Sequence, residues 1–260
     1  MYHDVVEQSD FASSGFPGEG AHLYKLRRED FERHLGAISA AVPAGAVSCI
    51  AARQEWTGVP VFLTFDDGGT TALHPTADLL EARGWGGHFF VTTGQIGTAG
   101  FLDAAGVREL HGRGHVVGSH SATHPTRMAA LSRTELDREW RDSLAHLADV
   151  MGAAVRVASV PGGYYSIDVA RSAAAAGIEV LFTSEPSSRT QVVDGCLIIG
   201  RYVVQRSMGP EWSAGFASGA SSFRWKQTAL WKSKRVAKAL GGSVYLKLRQ
   251  AVLDRRKAER

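Results

Sequence analysis

The chain has 260 residues, of which 44% are hydrophobic and 21% are charged, a composition typical of a folded globular protein rather than a disordered or fibrous one. Its two cysteines, Cys49 and Cys196, are too few for a disulfide framework and lack the spacing of a thiolate metal site, which fits a reducing compartment. The net charge of +3 is unevenly distributed, because basic residues are concentrated near the C-terminus.

The first residues contain no positively charged segment followed by an apolar one, so we expect no secretory signal and a cytoplasmic protein. A periodic apolar pattern predicts a helix over Glu29–Ala41. The stretch Leu35–Ala52 is uncharged and approaches the length of a membrane span, but Pro43 and Gly45 interrupt it. We therefore interpret it as the end of a helix followed by a turn.

Short β-rich segments alternate with helical patterns through the middle of the chain, which predicts an α/β fold with a largely parallel sheet or barrel. A capping box at Ser132 and Glu135 begins a helix that should end at Gly152, and a second helix is expected over Ser166–Ala176. The predicted strands are Val59–Phe65, His88–Thr92, His115–Ser119, Val155–Val160 and Glu179–Thr183.

Polar and glycine-rich segments follow three of these strands. Asp66 and Asp67 come after the first strand, His120 follows the third, and Pro161-Gly162-Gly163 follows the fourth. In a parallel α/β barrel the carboxyl ends of the strands share one rim, where active sites form. We therefore expect these segments to converge.

The spacing of His120 and His124 suits two metal ligands, because a helical turn or tight loop would bring both imidazoles to one side. Taken alone, this pair is more typical of a solvated polar loop, and Asp66-Asp67 alone could be a turn. A catalytic divalent metal needs about three protein ligands and an open position, and two imidazoles with one carboxylate supply that set. The other aspartate would then be free to act as a base.

Together the two motifs resemble the NodB-homology polysaccharide deacetylases of carbohydrate esterase family 4. The first family motif is similar to Thr64-Phe65-Asp66-Asp67-Gly68 and the second to His120-Ser121-Ala122-Thr123-His124, within a similarity that covers roughly Val59–Thr183. The resemblance implies a distorted (β/α) barrel of about seven strands, related to the TIM barrel. It also implies that Asp66 is the catalytic base and that Asp67, His120 and His124 bind a divalent metal, zinc or another transition ion.

The N-terminal Tyr2-His3 is similar to the opening strand of some exopolysaccharide-modifying members of that family. We therefore expect one catalytic domain over residues 1–222. His3 could face the rim of the barrel beside the metal site, and a structural role for this histidine is an open alternative.

The third family motif, Arg-x-Pro-Tyr-Gly, is altered here. The matching segment is Ser159–Gly163, so Ser159 stands where the family has the arginine that orients the base. A substrate-binding role remains open for Pro161, Gly162, Gly163 and Tyr164, with an oxyanion-binding amide at Gly162, since glycine permits close backbone approach. The alternatives are a flexible turn at the glycines and core packing of Tyr164 or its neighbour Tyr165.

The last family motif provides a histidine as general acid, and the corresponding Leu197–Arg201 contains none. The general acid is therefore unassigned. We hypothesise that Arg201 replaces the arginine missing at Ser159 and lies beside Asp66. The alternative is that Arg201 is a surface residue at a strand edge.

Residues 223–260 are predicted to form a basic, amphipathic helical tail. From position 225 onward, 11 lysines and arginines stand against Asp254 and Glu259. Such a segment, residues 225–260, could make peripheral contact with the inner face of an anionic membrane, or it could pack on the barrel. Apolar residues recur in it every four positions, at Val236, Leu240, Val244, Leu248 and Val252.

The expected function is removal of N-acetyl groups from an amino sugar of a polysaccharide or glycan precursor, by a metal-activated water with Asp66 as base. Two alternatives keep the fold: hydrolysis of a non-sugar amide or imide, and a catalytically silent carbohydrate-binding relative. Nucleic-acid binding is not expected, because the basic tail lacks a recognition motif. The exact sugar, the metal and the oligomeric state do not follow from the sequence.

Overall fold

The computed structural model describes residues 1–50 and 59–233. Its central sheet comprises β3 (Thr64–Phe65), β4 (His88–Val91), β5 (Val116–Ser119), β6 (Val157–Ser159), β7 (Val180–Phe182), β8 (Gln191–Val193) and β9 (Cys196–Ile199). The spatial order is β3-β4-β5-β6-β7-β9-β8, and all neighbours are parallel except β8 and β9. The carboxyl ends of the parallel strands therefore lie along one rim.

The N-terminal residues connect the two ends of the curled sheet. The amide of Tyr2 donates to the carbonyl of Thr64 beside β3 (2.7 Å). The N-terminal amine of Met1 donates to the carbonyl of Tyr202, just after β9 (2.8 Å). This segment therefore lies between the first strand of the sheet and the chain that leaves the last parallel one. The prediction of a distorted (β/α) barrel is confirmed.

Helices cover the sheet, and a two-stranded parallel sheet precedes it. The helices are α1 (Glu19–His22), α2 (Arg28–Ala41), α3 (Asp78–Glu81), α4 (Ala104–Gly112), α5 (Arg133–Met151), α6 (Ile167–Ala175) and α7 (Pro210–Ala217), and the small sheet pairs β1 (Val5–Val6) with β2 (Leu26–Arg27). Residues 221–233 are also helical. The predicted capping box of α5 is present, and Gly152 ends that helix with a left-handed φ of 68°.

The core forms where apolar strand residues meet the helices. Phe65 of β3 and Phe89 of β4 stack with their ring centroids 4.9 Å apart, and Trp140 of α5 is fully buried. Such offset aromatic pairs contribute on the order of 1 kcal/mol beyond the area they bury. This packing fixes the relative positions of β3, β4 and β5, which carry the functional site.

The predicted strand over Val59–Phe65 is wrong in its first half. Only Thr64–Phe65 is regular strand, Val61 forms an isolated bridge to Val47, and Val59 is 81% exposed. Pro60 has no backbone N–H to donate to a neighbouring strand, which explains why regular pairing does not extend toward Val59. The apolar character of the segment alone does not show which of its residues pair as a regular strand.

The uncharged stretch after α2 was expected to contain a helix end and a turn. The helix does end at Ala41, and the chain turns at residues 43–45. Among the described residues, no helix combines the length and the apolar character needed to cross a bilayer. Of the predicted tail, residues 223–233 continue a helix on the barrel, whereas residues 234–260 lie outside the described residues.

Candidate metal centre and active site

The paired aspartates occupy a tight turn directly after β3. Asp67 has a left-handed φ of 81°, and Gly68 follows with a φ of 85°. A side chain at Gly68 would contact Val91 of β4, since a Cβ there would lie 3.2 Å from the Val91 Cα. A non-glycine residue with positive φ is uncommon, and such residues concentrate at functional sites. The turn points both carboxylates toward the rim.

The two histidines lie on the loop that follows β5. Ser121 and His124 both have left-handed backbone conformations, with φ values of 65° and 56°. Glu139 of α5 stabilises the loop, because its carboxylate accepts hydrogen bonds from the amides of Ala122 (3.0 Å) and Thr123 (2.9 Å). The strained loop is thus fixed from a neighbouring helix. The sequence contained no signal for this role of Glu139.

Asp67, His120 and His124 come together as a possible metal-binding cluster, with one ligand atom from each within 4.8 Å of the others. The Asp67 Oδ1 is 3.5 Å from the Nε2 of His120 and 3.5 Å from the Nε2 of His124. In tetrahedral coordination with bonds near 2.0 Å, ligand atoms lie about 3.3 Å apart. The observed separations therefore fit a divalent ion of zinc's size.

The electrostatics of the cluster agree with the geometry. Burial raises the pKa of Asp67, but hydrogen bonds from His120 and His124 more than offset this and hold the pKa well below its usual range. Burial lowers the pKa of His124, yet the neighbouring Asp67 carboxylate raises it overall. The carboxylate is therefore ionised and ready to bind a cation.

Ser159, at the end of β6, links His120 of the possible metal-binding cluster to Asp66. Its hydroxyl lies 2.6 Å from the His120 Nδ1 and 3.3 Å from the Asp66 Oδ1, and its carbonyl lies 3.1 Å from the same Nδ1. A proton on Nδ1 leaves the Nε2 lone pair available to a metal, and such a bonded partner fixes the ring orientation. The sequence showed only that Ser159 replaces an arginine.

Arg201 lies beside Asp66, as hypothesised, and is 5% exposed rather than a surface residue. Its Nη1 and Nη2 donate to the two carboxylate oxygens of Asp66 at 2.7 and 2.8 Å. Its Nε donates to the carbonyl of Thr183 (3.1 Å), and its guanidinium lies over the Phe90 ring, 5.5 Å from the centroid. The planar guanidinium matches a carboxylate with two parallel hydrogen bonds.

Arg201 also determines the ionisation of Asp66. Burial raises the pKa of this carboxyl, but the charges of Arg201 and His120 and the hydrogen bonds from Arg201 lower it to about 2. Asp66 is 4% exposed, so without this partner a buried carboxylate would carry a large desolvation penalty. The pair therefore favours the ionised form of Asp66.

The third motif forms a turn over Pro161–Gly163. Gly162 has a φ of 66°, and a Cβ at this position would lie 2.7 Å from the carbonyl oxygen of Thr126, so the turn requires glycine. Gly162, Gly163 and Tyr164 line the same cavity as the aspartates and histidines. Pro161 is buried and is not among the lining residues.

Tyr165 differs from its neighbour. It packs against the apolar cluster beneath α6, and its hydroxyl accepts a hydrogen bond from Gln191 (2.8 Å). The core-packing alternative therefore holds for Tyr165, whereas Tyr164 faces the cavity.

The cavity at the rim has a volume of about 470 Å³, within the range of small-ligand sites. His3 lines it and lies against Tyr24, with the ring centroids 4.9 Å apart and the ring planes tilted by 35°. Its buried Nδ1 has no hydrogen-bond partner among the described residues. Phe16 also lines the cavity and packs on the His124 ring at a centroid distance of 4.6 Å. Sequence reasoning did not identify Phe16, because its segment has no motif or periodicity.

These features define the class of the protein: a distorted (β/α) barrel with an Asp-His-His cluster, able to hold a metal ion, at the carboxyl ends of its strands. Residues 54–181 match the family model described as Polysaccharide deacetylase. The chain is also 32% identical over 136 residues to the chitooligosaccharide deacetylase of Sinorhizobium fredii, a match that covers 50% of this chain and 60% of that protein. Over these residues the chain is similar to the polysaccharide deacetylase family.

Solved structures agree on the fold. The deacetylase PplD of Streptococcus pyogenes, determined in complex with acetate, superposes with a TM-score of 0.64 at 20% identity, covering 81% of this chain and 93% of that chain. A polysaccharide deacetylase from Bacillus cereus superposes with a TM-score of 0.66 at 18% identity, covering 86% of this chain and 67% of that chain. The match to the curated relative spans only 60% of that relative's length.

Proposed function

We propose that the chain is a metal-dependent hydrolase that removes N-acetyl groups from an amino sugar of a polysaccharide or glycan precursor. One observation carries the proposal: an ionised Asp66, held by Arg201, lies within 3.9 Å of the ligand imidazole of His120 in a cavity of substrate size. A carboxylate beside a metal-ligand set is the arrangement that hydrolysis of an acetamide requires.

Asp67, His120 and His124 would hold the ion, and the mixed oxygen and nitrogen ligands suit zinc among other divalent transition metals. When bound, such an ion lowers the pKa of a water molecule and polarises the acetamide carbonyl. His3 lines the same cavity, and burial lowers its pKa despite the nearby charges of Asp67 and Asp66.

Asp66 accepts the proton of the attacking water in this proposal. A carboxyl with a pKa near 2 is a weak base, but it is always in the form that accepts a proton. Arg201 directs the carboxylate toward the cavity by holding both of its oxygens. An amide of the turn at Gly162 or Gly163 donates to the developing oxyanion. The proton taken up by Asp66 passes to the leaving nitrogen as the C–N bond breaks, so that acetate and a free amine leave and the Asp66 carboxylate is restored.

The test is a screen for acetate release from N-acetylated oligosaccharides and precursors, with the protein loaded with defined metals. Wild-type protein should release acetate, and Asp66→Asn should retain the metal but lose at least a hundredfold in kcat. Opening of a cyclic imide without acetate release would assign the protein to amide or imide hydrolysis instead. A metal-loaded protein that binds acetylated sugar without turnover would contradict the enzymatic proposal.

We also propose a cytoplasmic location with peripheral contact to the inner face of the membrane through residues 225–260. The exposure of Trp225 (71%) supports contact with an apolar phase, and Cys49 and Cys196 are both unpaired, which fits a reducing compartment. Cosedimentation with vesicles containing anionic lipid, compared with neutral vesicles, tests this contact. Equal binding to both, or to neither, would contradict it.

A further inference from the structure

We propose that the helix of residues 221–233 forms one wall of the active-site cavity and that Trp231 binds a sugar ring next to the one that is deacetylated. This inference rests on the proposed function and adds to it a residue that would contact a second sugar of the substrate. The helix lies outside residues 54–181, the region that matches the deacetylase family model.

The helix is fixed to the rim of the barrel by its polar side chains. The Gln227 side chain is 7% exposed, and its amide both accepts from the Val203 N–H (2.8 Å) and donates to the Val203 carbonyl (2.6 Å). The Thr228 hydroxyl donates to the carbonyl of Pro186 (3.1 Å). The Gln227 side chain thus satisfies both backbone polar groups of Val203, as a neighbouring strand would. These hydrogen bonds anchor the helix at a defined position beside the segment that follows β9.

One face of this helix is directed into the cavity. Gln227, Leu230 and Trp231 are spaced by three and four residues, which places them on one side of a helix, and all three line the cavity that contains Asp66 and the metal-ligand cluster. Trp225 lies on a different face and is not a lining residue. The two tryptophans of the helix therefore differ in what they can touch.

The chemistry of this wall suits a pyranose ring. The indole of Trp231 offers a large apolar face, and Phe16, Tyr24 and Tyr164 are further aromatic residues of the cavity. Sugar rings present C–H groups that pack on aromatic faces, while their hydroxyls remain available for hydrogen bonds. The acetamido group must reach the ligand cluster on the strand ends, whereas Trp231 stands on a separate helix of the same cavity. In the proposal, the ring that Trp231 contacts belongs to a neighbouring sugar.

Binding and kinetics with two sugars test the inference. The probes are a trimer of N-acetylglucosamine and the single sugar, titrated calorimetrically into zinc-loaded protein in an Asp66→Asn background and used as substrates for the Asp66 form. Trp231→Ala should raise the Kd and KM for the trimer about tenfold, with little change in kcat or in the KM for the single sugar. Trp231→Phe should largely restore trimer affinity, and Trp225→Ala should leave it unchanged.

The outcomes separate this inference from the proposed function. If the wild-type protein deacetylates the trimer but Trp231→Ala binds the trimer as tightly as the wild type does, the role inferred for Trp231 is overturned while the proposed function stands. An equal loss for trimer and single sugar in Trp231→Ala would show a structural role only and would also overturn it. Absence of binding and turnover in the wild type would reject the proposed function together with the inference.

Discussion

Arg201 donates to both carboxylate oxygens of Asp66, at 2.7 and 2.8 Å, from a position 135 residues further along the chain. In the family pattern the arginine comes from the segment that holds Ser159 here. The side chain of Ser159 still contacts Asp66, but as a short hydroxyl that also reaches His120. One cation thus holds Asp66 from a different strand end, and the vacated position joins Asp66 to His120, which we propose as a metal ligand.

Arg201→Ala should leave the buried Asp66 without its cation. We expect a loss of about 3–5 kcal/mol in unfolding free energy. The pKa of Asp66 should rise, because burial is then opposed by less positive charge, and the acid limb of the pH profile of kcat/KM should move to higher pH. Arg171→Ala, at a half-exposed arginine of α6, is the control. An unaltered acid limb in Arg201→Ala would refute the role assigned to Arg201.

Ser159→Ala should weaken metal binding without unfolding the protein. The His120 Nδ1 loses its 2.6 Å hydroxyl partner and keeps only the backbone carbonyl at 3.1 Å. Loss of such a partner typically costs 10–100-fold in metal affinity. Competition with a zinc chelator measures the affinity, and Ser172→Ala in α6, away from the cavity, serves as the matched control. Equal zinc affinity in both variants would contradict a role of the Ser159 hydroxyl in orienting His120.

Gly162→Ala tests the close approach in the third-motif turn. Gly152 at the end of α5 has a similar left-handed φ but no atom within 4 Å of a built Cβ, whereas a Cβ at Gly162 would lie 2.7 Å from the Thr126 carbonyl. Both alanine variants should lose about 1–2 kcal/mol from backbone conformation. Only Gly162→Ala should lose more stability and also activity. Thermal unfolding and turnover are measured on both variants. Equal losses would assign the effect to the left-handed backbone conformation, and a larger loss in Gly162→Ala would assign it to contact with the Thr126 carbonyl.

His88 should make the protein less stable in mild acid. Burial lowers its folded-state pKa from the ordinary 6.5 to about 4, and its Nε2 accepts a hydrogen bond from the Ile50 amide (2.9 Å). The unfolded chain therefore takes up this proton first, so stability is lost as the pH falls from 6.5 to about 4, by about 3 kcal/mol. Denaturant unfolding at several pH values in this window measures how the unfolding free energy changes with pH. This pH dependence should be weaker in His88→Gln than in the wild type. His111 is exposed, so His111→Gln should keep the wild-type pH dependence of the unfolding free energy.

Zinc should stabilise the folded protein through Asp67, His120 and His124. A ligand at 100 times its Kd that binds only the folded state adds about 2.7 kcal/mol. The midpoint of thermal unfolding should therefore rise with zinc and fall again with chelator. Asp67→Ala and His124→Ala should abolish this rise, whereas His111→Ala should not. A rise that persists in both ligand variants would place the ion elsewhere.

Local sequence patterns were sufficient for elements whose signals are local. The capping box at Ser132 and the terminal Gly152 specify both ends of α5 through hydrogen bonds and φ values of the residues themselves. The run Val59–Phe65 misled, because whether an apolar segment pairs as a strand depends on the neighbour it meets and on Pro60.

For the site, the sequence by itself predicted which side chains come together, since the paired aspartates and the two histidines follow strands whose carboxyl ends must share a rim. The sequence left Arg201 with two alternatives, a partner of Asp66 or a surface residue, and only the tertiary structure decided between them and identified the other supporting residues. Arg201 reaches Asp66, Glu139 holds the histidine loop, and Trp231 enters the cavity through contacts between segments far apart in the chain. Such contacts depend on how helices and strands pack in three dimensions. A local pattern of residues does not show which distant segments of the chain will lie next to each other.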